Sequence, residues 1–329
     1  MGVFAPVAAY LAARLGTRRA MTIGLALIGT FGMARAVVPS AWLVVLLTLP
    51  LGIGMGVGNA LSPLAVHETL PDRPGTGTGV YTTGIQLGST VSAAVAVPLA
   101  AVLGGWRGAL IAFSAAACLV AVSWTVLERG GRPHRRPAAL VPRLPWRSGT
   151  AWLLVTIFSL MGSAYYGLNA WLPDAYVEQG WSDGAAGLLL AAMTFTAIGS
   201  SFAGPWLSDR HGGRLLWLVA ASVVFALGAI GLVALPDVGY LWALIAGVAQ
   251  GSTFALVMTL PLELERAPER VGALVAMMLG VGYSISAVSP FVLGGVRDLT
   301  ESFDAVLWIC AGLLVVMTGV VEALRRRVP

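Results

Sequence analysis

The sequence contains no lysine: all twenty of its basic residues are arginine. A phosphate-binding surface would draw on both cations, so the all-arginine set reads as codon bias of a GC-rich genome. Charge of either sign is scarce. Of 329 residues 11% are charged and 57% hydrophobic, with a mean hydropathy of +0.84, whereas a soluble domain carries about 25% charge. The deficit runs along the whole length, which excludes a soluble globular domain and predicts a polytopic membrane protein. There are two cysteines, Cys118 and Cys310, each inside an apolar run with no histidine or second cysteine near it. That excludes a disulfide or a metal pair and leaves packing or lipid-facing thiols. His67-Glu68 has no second histidine in reach, so no zinc motif follows. PGTGTG (74–79) lacks the Gly-Lys-Ser/Thr of a phosphate loop and opens an apolar run, which argues against nucleotide binding.

What the sequence does have is long apolar runs with short polar breaks. They predict membrane-spanning helices at about 20–38, 41–65, 76–102, 107–127, 151–173, 185–207, 215–235, 239–261, 271–295 and 304–323. Helices are required because lipid tolerates no open sheet edge, and no alternating ten-residue pattern suggests a barrel. Ahead of them, Val3 to Ala13 is uncharged and is followed by Arg14, Arg18 and Arg19. Charge after the apolar run rather than before it does not fit a signal peptide. Eleven residues reach about 16 Å, half a bilayer core, so this stretch is expected to be part of a span whose beginning lies upstream.

Arginine is distributed unevenly between alternate loops. Seventeen arginines fall on one side: Arg14, Arg18, Arg19, Arg73, the six from Arg129 to Arg147, Arg210, Arg214, Arg266, Arg270 and Arg325 to Arg327. Arg35, Arg107 and Arg297 fall on the other. The positive-inside rule places the first set and the C-terminus in the cytoplasm. The net charge of +5 is then topology, and no nucleic-acid partner is expected.

The sequence also repeats itself. Leu11–Arg18 (LAARLGTR) echoes Leu207–Arg214 (LSDRHGGR) at an offset of 196, and Glu68, Arg73 and Gly75 echo Glu265, Arg270 and Gly272 at 197. Pro98 and Cys118 echo Pro290 and Cys310, and LGGWR (103–107) echoes LGGVR (293–297). Several echoes in order at nearly one offset indicate parallel repeats of a helical bundle. Between them, 128–149 carries four prolines and no apolar period and reads as a solvated cytoplasmic linker. The expected organisation is an N-terminal half (1–127), a linker (128–149) and a C-terminal half (150–329).

Two six-helix halves with a short basic, glycine-containing turn between the second and third helices of each resemble the major facilitator superfamily. The second-half turn, PWLSDRHGGR, keeps Asp209, Arg210 and Gly212 but has Pro205 for the first glycine. The first-half turn keeps Leu11, Arg14, Gly16 and Arg18 and has Ala13 for the aspartate. SAYYGLNAWLPDAYVEQGWSDGAAGLLL (163–190) resembles the cyanate and 2-nitroimidazole transporter branch. The resemblance implies an all-α polytopic membrane protein of the major facilitator fold, with the first helix missing and the second partial. It further implies a solute cavity lined by the first, fourth, seventh and tenth helices of the twelve, the last three beginning near 41, 151 and 239.

Polar groups near the middle of these spans are costly and therefore informative. The fourth helix offers Asn59; the seventh, Tyr165, Tyr166 and Asn169; the tenth, Gln250, Ser252 and Thr253. Flanking spans add Tyr81, Thr82 and Gln86, Thr194, and Tyr283. Tyr165 with Asn169, and Thr82 with Gln86, lie one turn apart on a shared face. Amide, hydroxyl and aromatic groups suit a small polar or weakly anionic solute, while for any one residue interhelical hydrogen bonding worth about 0.6 kcal/mol is an equal reading. No acidic, basic or histidine side chain lies near the middle of a span. The arginine that often marks the family's first helix has no position here, so anion selectivity is implied by resemblance alone.

At the cytoplasmic ends, Arg14, Arg18, Glu68, Arg73, Asp209, Arg210, Arg214, Glu265 and Arg270 are expected, by the same resemblance, to form a latch that closes in one state and opens in the other. The expected function is secondary transport of a cyanate-like or nitroimidazole-like solute by rocking of the halves. No covalent chemistry or cofactor is expected, and the protein is expected to be a monomer in the inner membrane. Two other readings stay open: a non-transporting remnant or solute sensor, and a drug exporter of wide specificity, though the Gly-Pro of such antiporters is not visible because Pro98 follows Val97.

Overall fold

A computed structural model describes residues 10–11, 14–70, 72–128 and 144–327. The partial span at 3–13 falls largely, and the linker mostly, outside the described residues. Among the described residues ten long helices follow the apolar runs: α1 (Thr17–Val37), α2 (Ala41–Thr69), α3 (Pro74–Val102), α4 (Trp106–Glu128), α5 (Gly149–Glu178), α6 (Asp183–His211), α7 (Arg214–Ala234), α8 (Gly239–Leu264), α9 (Pro268–Thr300) and α10 (Phe303–Arg325). Among the described residues nine helices are long and apolar enough to cross a membrane. Their charged residues sit within a few positions of the ends, as an interior that pairs backbone groups only with one another requires.

Local chemistry sets the ends. Ser148, Ser182 and Ser302 cap α5, α6 and α10 by accepting from the backbone N–H groups of Ala151, Ala185 and Asp304, the usual use of serine ahead of a first turn. The basic turn of each repeat needs glycine for its backbone: φ is +84° at Gly16 and +71° at Gly212, with Gly213 at +67°, a region costly for any residue with a Cβ. The LGG echo, by contrast, is not structural. Gly104 and Gly105 form a turn at φ +74° and +121°, while Gly294 and Gly295 lie inside α9.

The chain divides into two compact units. The first holds residues up to Thr69, Gly88–Pro145 and Leu264–Gly280; the second holds Leu70–Leu87, Trp146–Glu263 and Val281–Pro329. The boundary therefore cuts through α3 and α9. In the first unit α1 packs on α2 and α4 through glycines at close approach: a Cβ on Gly54 would meet the carbonyl of Gly24, and one on Gly29 would meet Cys118. In the second, α5 packs on α10 and α9, where the hydroxyls of Ser286 and Ser289 donate to the carbonyls of Ser159 and Ser163.

The repeats differ in burial. Over their most apolar stretch, α2 is 17% buried and its counterpart α8 is 72%. The helix α5 has no counterpart among the described residues of the first unit. There, Met21, Leu25, Ile28, Gly54, Gly58, Val120 and Trp124 line an apolar hollow of about 230 Å³.

Candidate functional site

Two groups of residues in the second unit stand out. The first begins with α3, whose opening turn is capped from another helix. Pro74 at its start has no N–H to satisfy. The backbone N–H groups of Gly75 and Thr76 donate to the Asp209 carboxylate of α6, at 3.1 and 2.6 Å, and the Thr76 hydroxyl donates to it at 2.9 Å. The Gly77 N–H donates to the Arg73 carbonyl, so the donors a helix start leaves over are all satisfied. A carboxylate at this end also meets the positive pole of the helix dipole. Gly75 makes the approach possible: a Cβ there would run into Asp209 Oδ1 and the Pro205 carbonyl.

Asp209 is in turn held by Arg214 at the start of α7, through a direct ion pair. Arg214 also donates from Nε to the Ser208 hydroxyl at 3.1 Å and pairs with Glu263 of α8 at 2.9 Å. The Arg214 side chain is 7% exposed and that of Asp209 12%, so water screens their pair little; Glu263 is 37% exposed and its pair is weaker. One arginine thus joins three helix ends, and Asp209 extends the network to a fourth.

The other charged residues are placed differently. Arg210 stacks on Trp206, with 5.7 Å from its guanidinium carbon to the ring centre, and Arg14 stacks on Tyr10 at 5.3 Å. Arg18 and Arg73 are exposed. Glu265 and Arg270 approach only to 3.8 Å, with Arg270 75% exposed. The Glu68 side chain and Ala13 lie outside the described residues. Sequence reasoning missed Glu263, Thr76 and Ser208. Glu263 carries a signal in hindsight, as an acid within the last turn of a span, but nothing local separates it from Glu265.

The second group lies deeper. Tyr165 and Tyr166 on α5 meet edge to face, ring centres 5.2 Å apart, and Tyr283 on α9 meets Phe158 of α5 in the same way at 4.9 Å. Tyr165, Tyr166, Tyr283 and Tyr81 of α3, from three helices, belong to the same unit. On α3, the Thr82 hydroxyl donates to the Thr78 carbonyl at 2.8 Å and reaches the Ser201 carbonyl of α6 at 3.4 Å, which fixes this face of α3 against α6. The Thr78 and Tyr81 hydroxyls face each other along α3, and among the described residues the buried Gln86 Nε2 has no hydrogen-bond partner.

The remaining polar residues are scattered. Asn169 Nδ2 donates to the Tyr165 carbonyl at 2.9 Å, leaving its oxygen to accept. Asn59 belongs to the first unit, where its Nδ2 donates to the Met55 carbonyl. Gln250 and Thr253 are buried on α8, and among the described residues no hydrogen bond or ring contact ties them to the tyrosines. Ser252 and Thr194 act between and within helices, donating to the Ser200 and Leu190 carbonyls.

Known proteins match this architecture. The family model described as Major Facilitator Superfamily matches residues 1–290 and 175–329. An uncharacterised transporter of Bacillus subtilis (strain 168) is 30% identical over 319 residues, covering 96% of this chain and 79% of that protein. The cyanate transport protein CynX of Escherichia coli (strain K12) is 29% identical, covering 92% and 79%. The 2-nitroimidazole transporter of the same organism is 28% identical, covering 96% and 80%. Among solved structures, the transporter FucP in its outward conformation superposes with a TM-score of 0.76 at 14% identity, covering 98% of this chain and 87% of that one. The chain belongs to the Major Facilitator Superfamily.

Proposed function

We propose that the protein is a secondary transporter that carries a small polar or anionic solute, cyanate-like or nitroimidazole-like, through the membrane by alternating access. The observation that carries this reading is the Asp209 network. It ties the start of α3, from the first sequence repeat, to the ends of α6, α7 and α8, from the second. Hydrogen bonds to a charged group are worth about 1.5–3 kcal/mol each and near-surface ion pairs about 0–1. Together they supply the few kcal/mol that bias a two-state equilibrium while remaining weak enough to break. The tyrosines of the second unit, with Asn169 and Gln86, are the solute site in this reading. The relatives that transport cyanate and 2-nitroimidazole support the solute class.

In the same reading the rocking bodies are the sequence repeats 1–127 and 150–329, joined by the 128–149 linker. The Asp209 network and the C-terminus face the cytoplasm, in accord with the seventeen arginines on that side. The transporter works as a monomer, without a cofactor or covalent chemistry.

Counterflow tests the proposal. Proteoliposomes preloaded with unlabelled 2-nitroimidazole or cyanate are diluted into trace labelled solute. A transient accumulation above that of protein-free liposomes is expected for at least one of the two. Saturable binding without exchange would replace the transporter by a sensor, and competition by large lipophilic cations would point to a broad drug exporter.

A further inference from the structure

We propose that the first unit binds the phosphate of an anionic phospholipid where the end of α1 meets the start of α4, between Arg35 and Arg107. The proposal needs only that the helices cross a membrane, not the solute reading above. Both guanidinium groups hold the turn from α1 to α2. Arg107, the second residue of α4, donates from Nη2 to the Val38 carbonyl at 3.1 Å. Arg35, in the last turn of α1, donates from Nη1 to the Thr48 hydroxyl of α2 at 3.3 Å. Val38 follows Arg35 by three positions, about 5 Å along a helix. Two permanent cations from helices that pack on each other thus meet at one place, each bonded to a neutral oxygen.

The first ground is charge within this unit. Residues 20–67 and 88–127 contain no acid, and neither do the residues outside the described set. On α4 the first acid is Glu128, twenty-one positions after Arg107; on α2 it is Glu68, twenty after Thr48. Either spacing is about 30 Å along a helix. The unit's other acids, Glu265 and Glu269, have Arg266 and Arg270 beside them. The C-terminal pole of α1 is worth about half a negative charge, too little to balance two arginines. The second ground is hydrogen bonding. Arg35 Nε is closed to solvent and has no hydrogen-bond partner among the described residues, which is costly for a buried N–H. A phosphate matches the planar fork of an arginine in both charge and geometry.

The sequence repeat supplies a contrast. Arg107 of LGGWR echoes Arg297 of LGGVR, and both lie over an aromatic ring, Trp106 at 5.2 Å and Phe303 at 5.0 Å. Arg297 Nε is also unpartnered among the described residues, but Asp298 stands 3.7 Å from Arg297 and balances its charge. Arg107 is followed by Gly108 instead. The third ground is the surroundings, which select a lipid over a small free anion. Trp42 is 82% exposed, Val102 81% and Trp106 54%. Such surfaces on spanning helices face lipid, and tryptophan at a helix end sits at headgroup level. A phospholipid sets its phosphate on the arginines and its chains along these side chains, which a small anion leaves uncovered. In the topology proposed above this is the outer leaflet.

The test is native mass spectrometry of the purified full chain, released from micelles holding dioleoylphosphatidylglycerol and dioleoylphosphatidylcholine in equal amounts. Arginines elsewhere hold the anionic lipid too, so the reading is the difference between variants. The parent is expected to retain one more phosphatidylglycerol than Arg35→Gln with Arg107→Gln, and high salt should shrink the difference. That molecule should bind about fivefold more weakly to Arg35→Gln alone and about thirtyfold more weakly to the double variant. Arg297→Gln should behave as the parent. Arg35→Gln loses a bond to one hydroxyl and keeps the test open if the double variant does not fold. Equal phosphatidylglycerol retention by the parent and Arg35→Gln overturns the proposal, as does an equal loss of both lipids from that variant. Displacement of the lipid by cyanate or inorganic phosphate would make this a small-anion site and overturn the lipid assignment. Each of these results leaves the transport reading standing.

Discussion

Asp209 on α6 accepts three hydrogen bonds from Gly75 and Thr76 at the start of α3 while paired with Arg214. One carboxylate thus serves as the cap of a helix that precedes it by more than a hundred residues. It is the one acid of the two basic turns, since the first repeat has Ala13 at the equivalent position, and its removal has no symmetric partner to compensate for it.

Replacing this carboxylate by an amide should therefore be felt at once. Asp209→Asn keeps the size and one acceptor oxygen but loses the charge, and is expected to weaken the network by about 1–3 kcal/mol. Thermal unfolding of the purified protein in detergent should show a lower midpoint. An unchanged midpoint would mean that the cap adds nothing.

Glu263 should behave differently alone and in combination. With 37% of its side chain exposed, Glu263→Gln is expected to cost about 0–1 kcal/mol, because Arg214 keeps Asp209. In the double variant with Asp209→Asn, Arg214 is left buried without an acid, and the loss should exceed the sum of the two singles. A double-mutant cycle on thermal stability measures the excess, and strict additivity would show that the two acids do not share the arginine.

Gly75→Ala reverses the ordinary rule. Alanine in a helix is normally more stable than glycine by about 1 kcal/mol. Here its Cβ collides with Asp209 Oδ1 and the Pro205 carbonyl, neither of which is the end of a long flexible side chain. The variant is expected to be less stable than the parent and no more stable than Asp209→Asn, and a stabilised Gly75→Ala would show that α3 does not come so close.

Asn169→Ala removes an acceptor from the tyrosine group and frees the Tyr165 carbonyl within its own helix. Counterflow of 2-nitroimidazole should slow several-fold while thermal stability changes by less than about 1 kcal/mol. Equal loss of both would mark Asn169 as a packing residue.

Much of this was legible in the sequence, for physical reasons. An apolar run long enough to span lipid can only be a helix, so all ten long helices were expected, with ends within a few residues of the observed ones for nearly all of them. The motif glycines were legible because positive φ selects them: Gly16 and Gly212 do the same thing in both repeats. The LGG echo misleads because glycine fits a turn and, at small cost, a helix. Asp209 and Arg214 were visible as a motif, whereas Glu263 was not, because its partner lies forty-nine residues away on another helix. Nor could periodicity reveal that α3 and α9 each straddle two compact units. Tyr81 and Tyr283 stood out only as polar residues in apolar surroundings; that Tyr283 meets Phe158 depends on packing between helices far apart in sequence.

The most direct measurement concerns Ser208, which is 2% exposed behind Arg214. Ser208→Cys, with Cys118 and Cys310 replaced by serine, is to be labelled with a polar maleimide in open membrane sheets. If the Asp209 network closes one end of an alternating-access cycle, labelling should be slow at rest and change at least severalfold when transported solute is added. Asp209→Asn should then accelerate it about tenfold, as a shift of about 1.4 kcal/mol in a two-state equilibrium requires. A rate that ignores both solute and Asp209 would mean that this network is a fixed joint, and that the protein does not open there.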